Sequence, residues 1–340
     1  MRRRGITVLV GAVIVVALST GVMVAPVPYV VLRPGPTWDT LGQTTDGQEV
    51  IQIDGEEVTE SAGQLHLTTV SVDPDISLLD AIEAWFDRAE AVVPEELIYP
   101  PDQTRLEVEE RNAEQFTRSQ STAETAALRQ LGFPSLVEVV AVADGTPADG
   151  QLRAGDVIET VDGVVVTDVA TLQRLVTAGP AGTILTIGYR RLDRPGTVEV
   201  ATATMAGDDT PRLGVQVSYR VEAPFELTIG LDRIGGPSAG LMFALGIIDK
   251  LDPEDLTGGR VIAGTGSIDE QGNVGEIGGI AQKLVAAREI GASAFLVPAA
   301  NCPEAVGNAP PGIILLKVDT LEQALVGLAA LRADREPVVC

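Results

Sequence analysis

The chain has 340 residues, 45% of them hydrophobic and 4% aromatic, which is enough apolar mass for about two or three packed domains. A formal net charge of −24 provides no positive footprint for a polyanion, so nucleic acid is excluded as a partner. One histidine, His66, and two cysteines, Cys302 and Cys340, are too few for a Cys/His zinc site, which takes about three or four ligands, so no metal is expected.

Met1-Arg2-Arg3-Arg4 precedes an uncharged, mostly apolar run over residues 5–25, close to the roughly 20 residues that cross a hydrocarbon core. A cleaved secretory signal has a shorter apolar region, about 7–15 residues, and a small-x-small cleavage site. The best such site here, Met23-Val24-Ala25, is a poor match and is followed by Pro26. The run therefore reads as an uncleaved transmembrane anchor. Residues 1–4 stay cytoplasmic, because arginines stay inside, and everything after Ala25 is extracytoplasmic.

Residues 26–118 alternate strand patterns (49–53, closed by Asp54-Gly55, and 64–72) with turn signals, and a helix is predicted over 78–90. Pro94, Pro100 and Pro101 then interrupt regular structure. This N-terminal α/β region carries no evident chemistry and reads as a layer or spacer. His66, inside the strand Gln64-Leu65-His66-Leu67, reads as structural.

A second module spans 119–206. A short helix (122–131) ends at Gly132-Phe133, and a strand follows over 136–140. Next come Gly145-Thr146-Pro147-Ala148, Gly150-Gln151-Leu152, Ala154-Gly155-Asp156-Val157-Ile158 and Val161-Asp162-Gly163. Leu152 and Ile158 bury, Gly155-Asp156 turns the chain into a strand, and Asp162-Gly163 closes a hairpin. A helix over 168–176 and strands over 183–190 and 197–203 complete the pattern. The module resembles a PDZ domain, which implies peptide binding by strand addition between a sheet edge and a helix. Leu131-Gly132-Phe133 matches the position of that family's carboxylate-binding loop. Pro134 removes an N–H donor there, which argues against recognition of a free C-terminus. Gly132, taken alone, is equally a helix C-cap.

The last part, 211–335, alternates strands (214–221, 225–231, 260–266) with helices. The loop Asp232-Arg233-Ile234-Gly235-Gly236-Pro237 delivers Ser238 to the start of a helix over 239–250. Glycines allow a substrate close to the backbone, and first-turn N–H groups have no partner within the helix. A nucleophile there would be well served, although serine is also an ordinary N-cap. Nearly all cations are arginines, and only Lys250, Lys283 and Lys317 break the pattern. Lys283 follows Ile280 by three residues and precedes Leu284, on or beside an apolar helix stripe. A lysine there must snorkel outward or shed its proton, and the second option makes it a base.

Gly236-Pro237-Ser238-Ala239-Gly240, Gly264-Thr265-Gly266, and Gly278-Gly279-Ile280-Ala281-Gln282-Lys283 with Ala286-Ala287-Arg288 resemble the catalytic segments of Lon-type proteases, in the same order. The resemblance implies Ser238 as nucleophile, Lys283 as base and Thr265 as the residue that orients the lysine. Gly235 departs from Lon proteins that carry Asp three residues before the serine. With a PDZ module and an anchor, the arrangement looks like the YlbL-like family of Gram-positive bacteria. The fold class expected is α+β multidomain: an N-terminal transmembrane helix, a PDZ-like β-sandwich or barrel with helices, and a C-terminal Lon proteolytic α/β domain.

No Gly-x-x-x-x-Gly-Lys-Ser/Thr loop occurs, so no ATP and no cofactor are expected. The partners expected are unfolded or exposed protein segments, the membrane, and, by analogy with Lon, further copies of the chain. An oxidising exterior would allow Cys302 and Cys340 to pair, and both free is the alternative. The competing reading is a PDZ scaffold on a catalytically silent Lon fold. An enzyme of the penicillin-binding type is excluded, because Ser238 lacks a lysine three residues later.

Overall fold

The computed structural model describes residues 2–205, 208–231 and 234–340, with side chains not described at 2–8, 205 and 208. Asp232 and Arg233 of the expected glycine loop lie outside the described residues, as do Met1 and Ala206. The chain forms two compact units, Met1–Glu124 with Leu227–Cys340, and Thr125–Glu226.

The first unit opens with α1 (Arg2–Met23), whose described apolar side chains, Leu9, Val13, Val16 and Leu18 among them, are exposed. Among the described residues no helix is long and apolar enough to cross a membrane. The strands β1 (Tyr29–Asp39), β2 (Ile51–Asp54) and β3 (Gln64–Asp73) follow, and β1 pairs antiparallel with β3 from Val31↔Asp73 to Asp39↔His66. The helix α2 (Leu78–Phe86) starts with a capping box between Ser77 and Asp80, and buries Ala81 and Ala84 against Val31 and Ile76. β4 (Ala91–Pro94) pairs with the other side of β1. The helix expected at 122–131 is the last part of a longer helix, α3 (Arg105–Gln130). Thr104 and Glu107 cap its start reciprocally: Thr104 N–H donates to Glu107 Oε2 at 2.7 Å, and Glu107 N–H to Thr104 Oγ1 at 3.3 Å.

The second unit contains β5 (Ser135–Val142), β6 (Val157–Val161), β7 (Val164–Val165), α4 (Val169–Val176), β8 (Ile184–Arg191), β9 (Arg194–Ala201), β10 (Ala203–Met205), β11 (Asp208–Arg212) and β12 (Val215–Val221). Its main sheet runs β12-β5-β6-β8-β9, around a core that includes Val137, Val139, Leu152, Ile158 and Ile187. Asp156 is fully buried, and Arg191 grips both of its oxygens, Nε to Oδ1 at 2.6 Å and Nη2 to Oδ2 at 2.7 Å. The strand expected at 214–221 as part of the C-terminal domain is β12, and it pairs with β5 from Val215↔Val142 to Val221↔Ser135. The second unit therefore extends past residue 206. Alternating hydropathy marks a strand but does not name its partner.

The chain then adds β13 (Glu226–Ile229), α5 (Gly240–Leu251), β14 (Val261–Gly264), the short pair β15 (Ser267–Ile268) and β16 (Val274–Gly275), α6 (Ile280–Glu289), β17 (Ala294–Pro298), α7 (Cys302–Gly307), β18 (Ile314–Val318) and α8 (Leu321–Arg332). One sheet, β18-β17-β14-β3-β1-β4, unites both segments of the first unit. β14 lies parallel to β17 on one side and to β3 on the other, with Ile262 opposite Leu65. The 26–118 region is thus no separate spacer, because its strands supply half of this sheet. Cys302 and Cys340 are disulfide-bonded. Lys250, 6% exposed, donates to Glu49 Oε2 at 2.6 Å and to Ile51 O at 2.7 Å, so β2 is tied to the end of α5.

A fragment of residues 211–340 leaves β14 without β3, and its apolar faces uncovered. It is expected to show no cooperative thermal unfolding by circular dichroism, whereas the full chain unfolds cooperatively. A sharp transition in the fragment would show the N-terminal strands to be dispensable.

Candidate active site

Ser238 ends the loop before α5, and Ala239 is the helix N-cap (φ −93°, ψ −11°). The helix behind it is buried from Gly240 to Lys250, so its first turn is held by dense packing on all sides. Ser238 itself stays partly exposed. Its carbonyl accepts two hydrogen bonds, from Gly266 N–H at 2.9 Å and from Thr265 Oγ1 at 3.0 Å. Leu241 N–H donates in turn to Gly266 O at 3.0 Å, which stitches the start of α5 to the segment after β14.

That segment is anchored from below. Thr68 Oγ1 on β3 donates to Gly264 O at 3.1 Å, at the end of β14. Gly264 lies so close to α5 and β17 that a Cβ would fall 2.6 Å from Met242 Sδ and 2.9 Å from Leu296 Cβ. Only glycine permits that approach, and the approach brings Thr265 beneath Ser238.

Lys283 comes from the first turn of α6. The helix starts at Gly279, whose left-handed backbone (φ 70°) is open to glycine at little cost, and a Cβ there would meet Val70 Cγ2 at 2.5 Å. Ile280, Leu284 and Ala287 are fully buried, and Lys283 beside them is 3% exposed. Its Nζ donates to Thr265 Oγ1 at 3.0 Å. Burial pushes the amine down from 10.5 to about 7, because the apolar surroundings disfavour the charged form. Near neutral pH a large fraction of Lys283 is therefore uncharged and able to accept a proton. Thr265 uses both capacities of its hydroxyl: it accepts from Lys283 and donates to the carbonyl of Ser238.

Ser238, Thr265 and Lys283 are thus brought into one hydrogen-bonded arrangement. Leu131, Gly132 and Phe133, the expected peptide-binding residues, are not among those that line the groove between α4 and β12. Gly132 (φ 85°) donates its N–H to Arg129 O, and Phe133 donates to Leu128 O, both at 3.0 Å, which closes the end of α3. The Phe133 ring packs edge-on against Phe225, with centroids 5.5 Å apart. The groove of the second unit, about 780 Å³, lies between α4 and the edge strand β12 and is lined by Ala170, Gln173, Thr177, Leu213, Val215 and Val217. Gly214 (φ 86°) also lines it and sits against Thr146, which leaves no room for a Cβ. Leu213-Gly214-Val215 shares the apolar-Gly-apolar pattern of 131–133.

His66 sits on β3 opposite Asp39 and Ala263, and burial lowers its pKa. Among the described residues no group of three or more His, Cys, Asp or Glu could hold a metal.

Residues 108–202 match the family described as PDZ domain, and residues 230–321 match the Lon protease (S16) C-terminal proteolytic domain. Similar proteins include a Lon protease of Buchnera aphidicola subsp. Schizaphis graminum, 28% identical over 130 residues, covering 37% of this chain and 16% of that protein. Lon protease 2 of Bacillus subtilis is 36% identical over 94 residues, covering 27% of this chain and 16% of its own length. A crystal structure of the PDZ domain of an SdrC-like protein from Listeria monocytogenes is 25% identical over 24% of this chain and 85% of its own, with a TM-score of 0.23. The chain therefore joins a segment that matches the PDZ domain to a segment that matches the Lon C-terminal proteolytic domain. It spans about a sixth of the length of the Lon proteases it matches, at 16% of each.

Two outcomes are expected from the buried amine. The unfolded chain holds its Lys283 proton up to about pH 10.5 and the folded chain only to about 7, so between these values the unfolded state binds more protons and stability rises with pH. Lys283→Met should thus gain most over the parent chain below pH 7, with the gain shrinking as pH rises toward 10.5; denaturant unfolding at several pH values measures it. Thr265→Val removes the hydroxyl between the amine and Ser238 and should lower peptidase kcat about 10-fold or more while the fold persists.

Proposed function

We propose that this chain is a membrane-anchored, extracytoplasmic serine endopeptidase that works without ATP through a Ser238–Lys283 dyad. The observation that carries the reading is the buried Lys283 amine, lowered to about 7 and hydrogen-bonded to Thr265, which also binds the Ser238 carbonyl. The uncharged amine takes the Ser238 hydroxyl proton as Oγ attacks the scissile carbonyl. Collapse of the tetrahedral intermediate expels the amine product, which receives that proton, and leaves an acyl ester on Ser238. Water, deprotonated by the same lysine, then releases the acid and restores the serine.

The substrates proposed are unfolded or exposed protein segments, because none of Lys250, Lys283 and Lys317 lies in a phosphate-binding loop. The groove between α4 and β12 would present them by strand addition. The anchor reading draws support from the uncharged run over 5–25, from the exposed apolar side chains of α1, and from Trp85 and Phe86 of α2, 75% and 83% exposed. The N-terminus of α2 is hydrogen-bonded to the end of that run, Leu78 N–H to Ala25 O at 3.1 Å. The disulfide fits an oxidising compartment. Homo-oligomeric assembly is carried only by analogy with Lon.

Cleavage of an unfolded casein-like protein without ATP tests the dyad. Wild type should cleave it, while Ser238→Ala and Lys283→Ala should each lose at least about 10³-fold in kcat. Equal cleavage by all three would refute the dyad, and no cleavage by any would favour the PDZ scaffold.

A further inference from the structure

The buried stripe of α3 contains one polar side chain whose position bears on the nucleophile. Val108, Phe116 and Ala123 on this stripe are 3%, 4% and 0% exposed, and Ser119 between them is 5% exposed. Phe116 packs edge-on against Phe243 of α5, with centroids 5.8 Å apart. A serine inside a helix ordinarily returns its hydroxyl to a carbonyl one turn back. Ser119 Oγ instead donates to Pro237 O at 3.0 Å, in the peptide that leads directly into Ser238.

The same helix holds the loop at further points. Asn112 O accepts Gly236 N–H at 2.9 Å, and Gln120 Nε2 lies 3.5 Å from Ile229 O and 3.4 Å from Leu231 O. The fit is close, since a Cβ at Gly235 would come within 3.1 Å of Asn112 Cβ, and one at Gly240 within 2.9 Å of Ser119 Oγ.

Both peptide planes flanking Ser238 are consequently held by their carbonyls. Pro237 C=O is bound by Ser119, and Ser238 C=O by Thr265 and Gly266. Among the described residues no peptide bond is cis, so in each plane the N–H points away from the carbonyl. Turning Pro237 C=O toward α3 turns Ser238 N–H away from it, and Thr265 does the same for Ala239 N–H.

We propose that Ser119 is a positioning residue for the peptidase: its hydroxyl sets the tilt of the Pro237–Ser238 peptide and so aims Ser238 N–H at the oxygen of a reacting carbonyl. A donor must be aimed before the reaction to stabilise the developing oxyanion, and a peptide free to rock loses that benefit. The role rests on the reading of Ser238 as nucleophile. It belongs to α3, outside the Lon-type match at 230–321.

The test uses the full chain and a fluorophosphonate probe. The probe forms an Oγ–P bond on Ser238 and loses fluoride from phosphorus, while the hydroxyl proton passes to Lys283. Ser119→Ala removes the hydroxyl, and Ser119→Cys keeps nearly the same shape with a poor donor. Both variants should label, and turn over a peptide substrate, about 10-fold or more slowly, with KM and the midpoint of the pH–rate profile unchanged. Full labelling stoichiometry and an unchanged thermal midpoint would show that the fold is intact. Wild-type rates in either variant would overturn the proposal. So would a loss traced wholly to a smaller folded fraction that labels at the wild-type rate, since the role would then be structural only. Labelling of Ser238→Ala at the wild-type rate would instead remove the nucleophile itself, and the role of Ser119 with it.

Discussion

The burial of one amine is the constraint around which the proteolytic domain is arranged. An ammonium group carried into an apolar helix–sheet interface must be paired or must release its proton. Lys283 is 3% exposed, and burial alone lowers it to about 7. Its hydrogen bond to Thr265 orients the amine without supplying a charge. A carboxylate in that place would stabilise the ammonium and hold its proton. The neutral hydroxyl leaves the amine free to exchange a proton near neutral pH, and in the same contact fixes the carbonyl of Ser238.

Keeping the amine dry depends on residues far away in the chain. The helix that bears Lys283 packs on β1 and β3, which come from the N-terminal segment. The anchor for Thr265 also comes from there, since Thr68 on β3 binds Gly264 O. The loop before Ser238 is held by α3 from the same segment, through Asn112, Ser119 and Gln120. A stretch with no chemistry of its own thus supplies the floor under the lysine and the brace beside the serine. Lys250, the other buried lysine, makes the contrast: it keeps an acidic partner in Glu49 and serves to tie β2 to α5.

The residues of the candidate site stand out in the sequence because they are exceptions to local rules. A lysine on an apolar stripe, in a chain that uses arginine almost everywhere else, invites the expectation of burial, and a serine after two glycines and a proline invites that of a reactive helix start. The strands over 49–53 and 64–72, the helix over 168–176 and the hairpin at Asp162-Gly163 were legible from period and turn chemistry. The partnerships were not. Nothing local in β3 says that it pairs with β14, or in β12 that it pairs with β5, because such pairings join segments far apart in sequence. The polar surface of α3 concealed its length, although Thr104-x-x-Glu107 marks its start. Gly132 turned out to be a helix cap because a glycine between apolar residues serves both uses, and Gly214 had the same credentials.

The chain contains only Lys250, Lys283 and Lys317, so a lysine-labelled sample gives a sparse NMR spectrum in which each side-chain amine can be titrated directly. The signal that disappears in Lys283→Arg should titrate with a midpoint close to 7, as burial requires. A midpoint for Lys283 near the ordinary lysine value of about 10.4 would contradict the account, because the amine would then be charged at neutral pH and unable to act as the base.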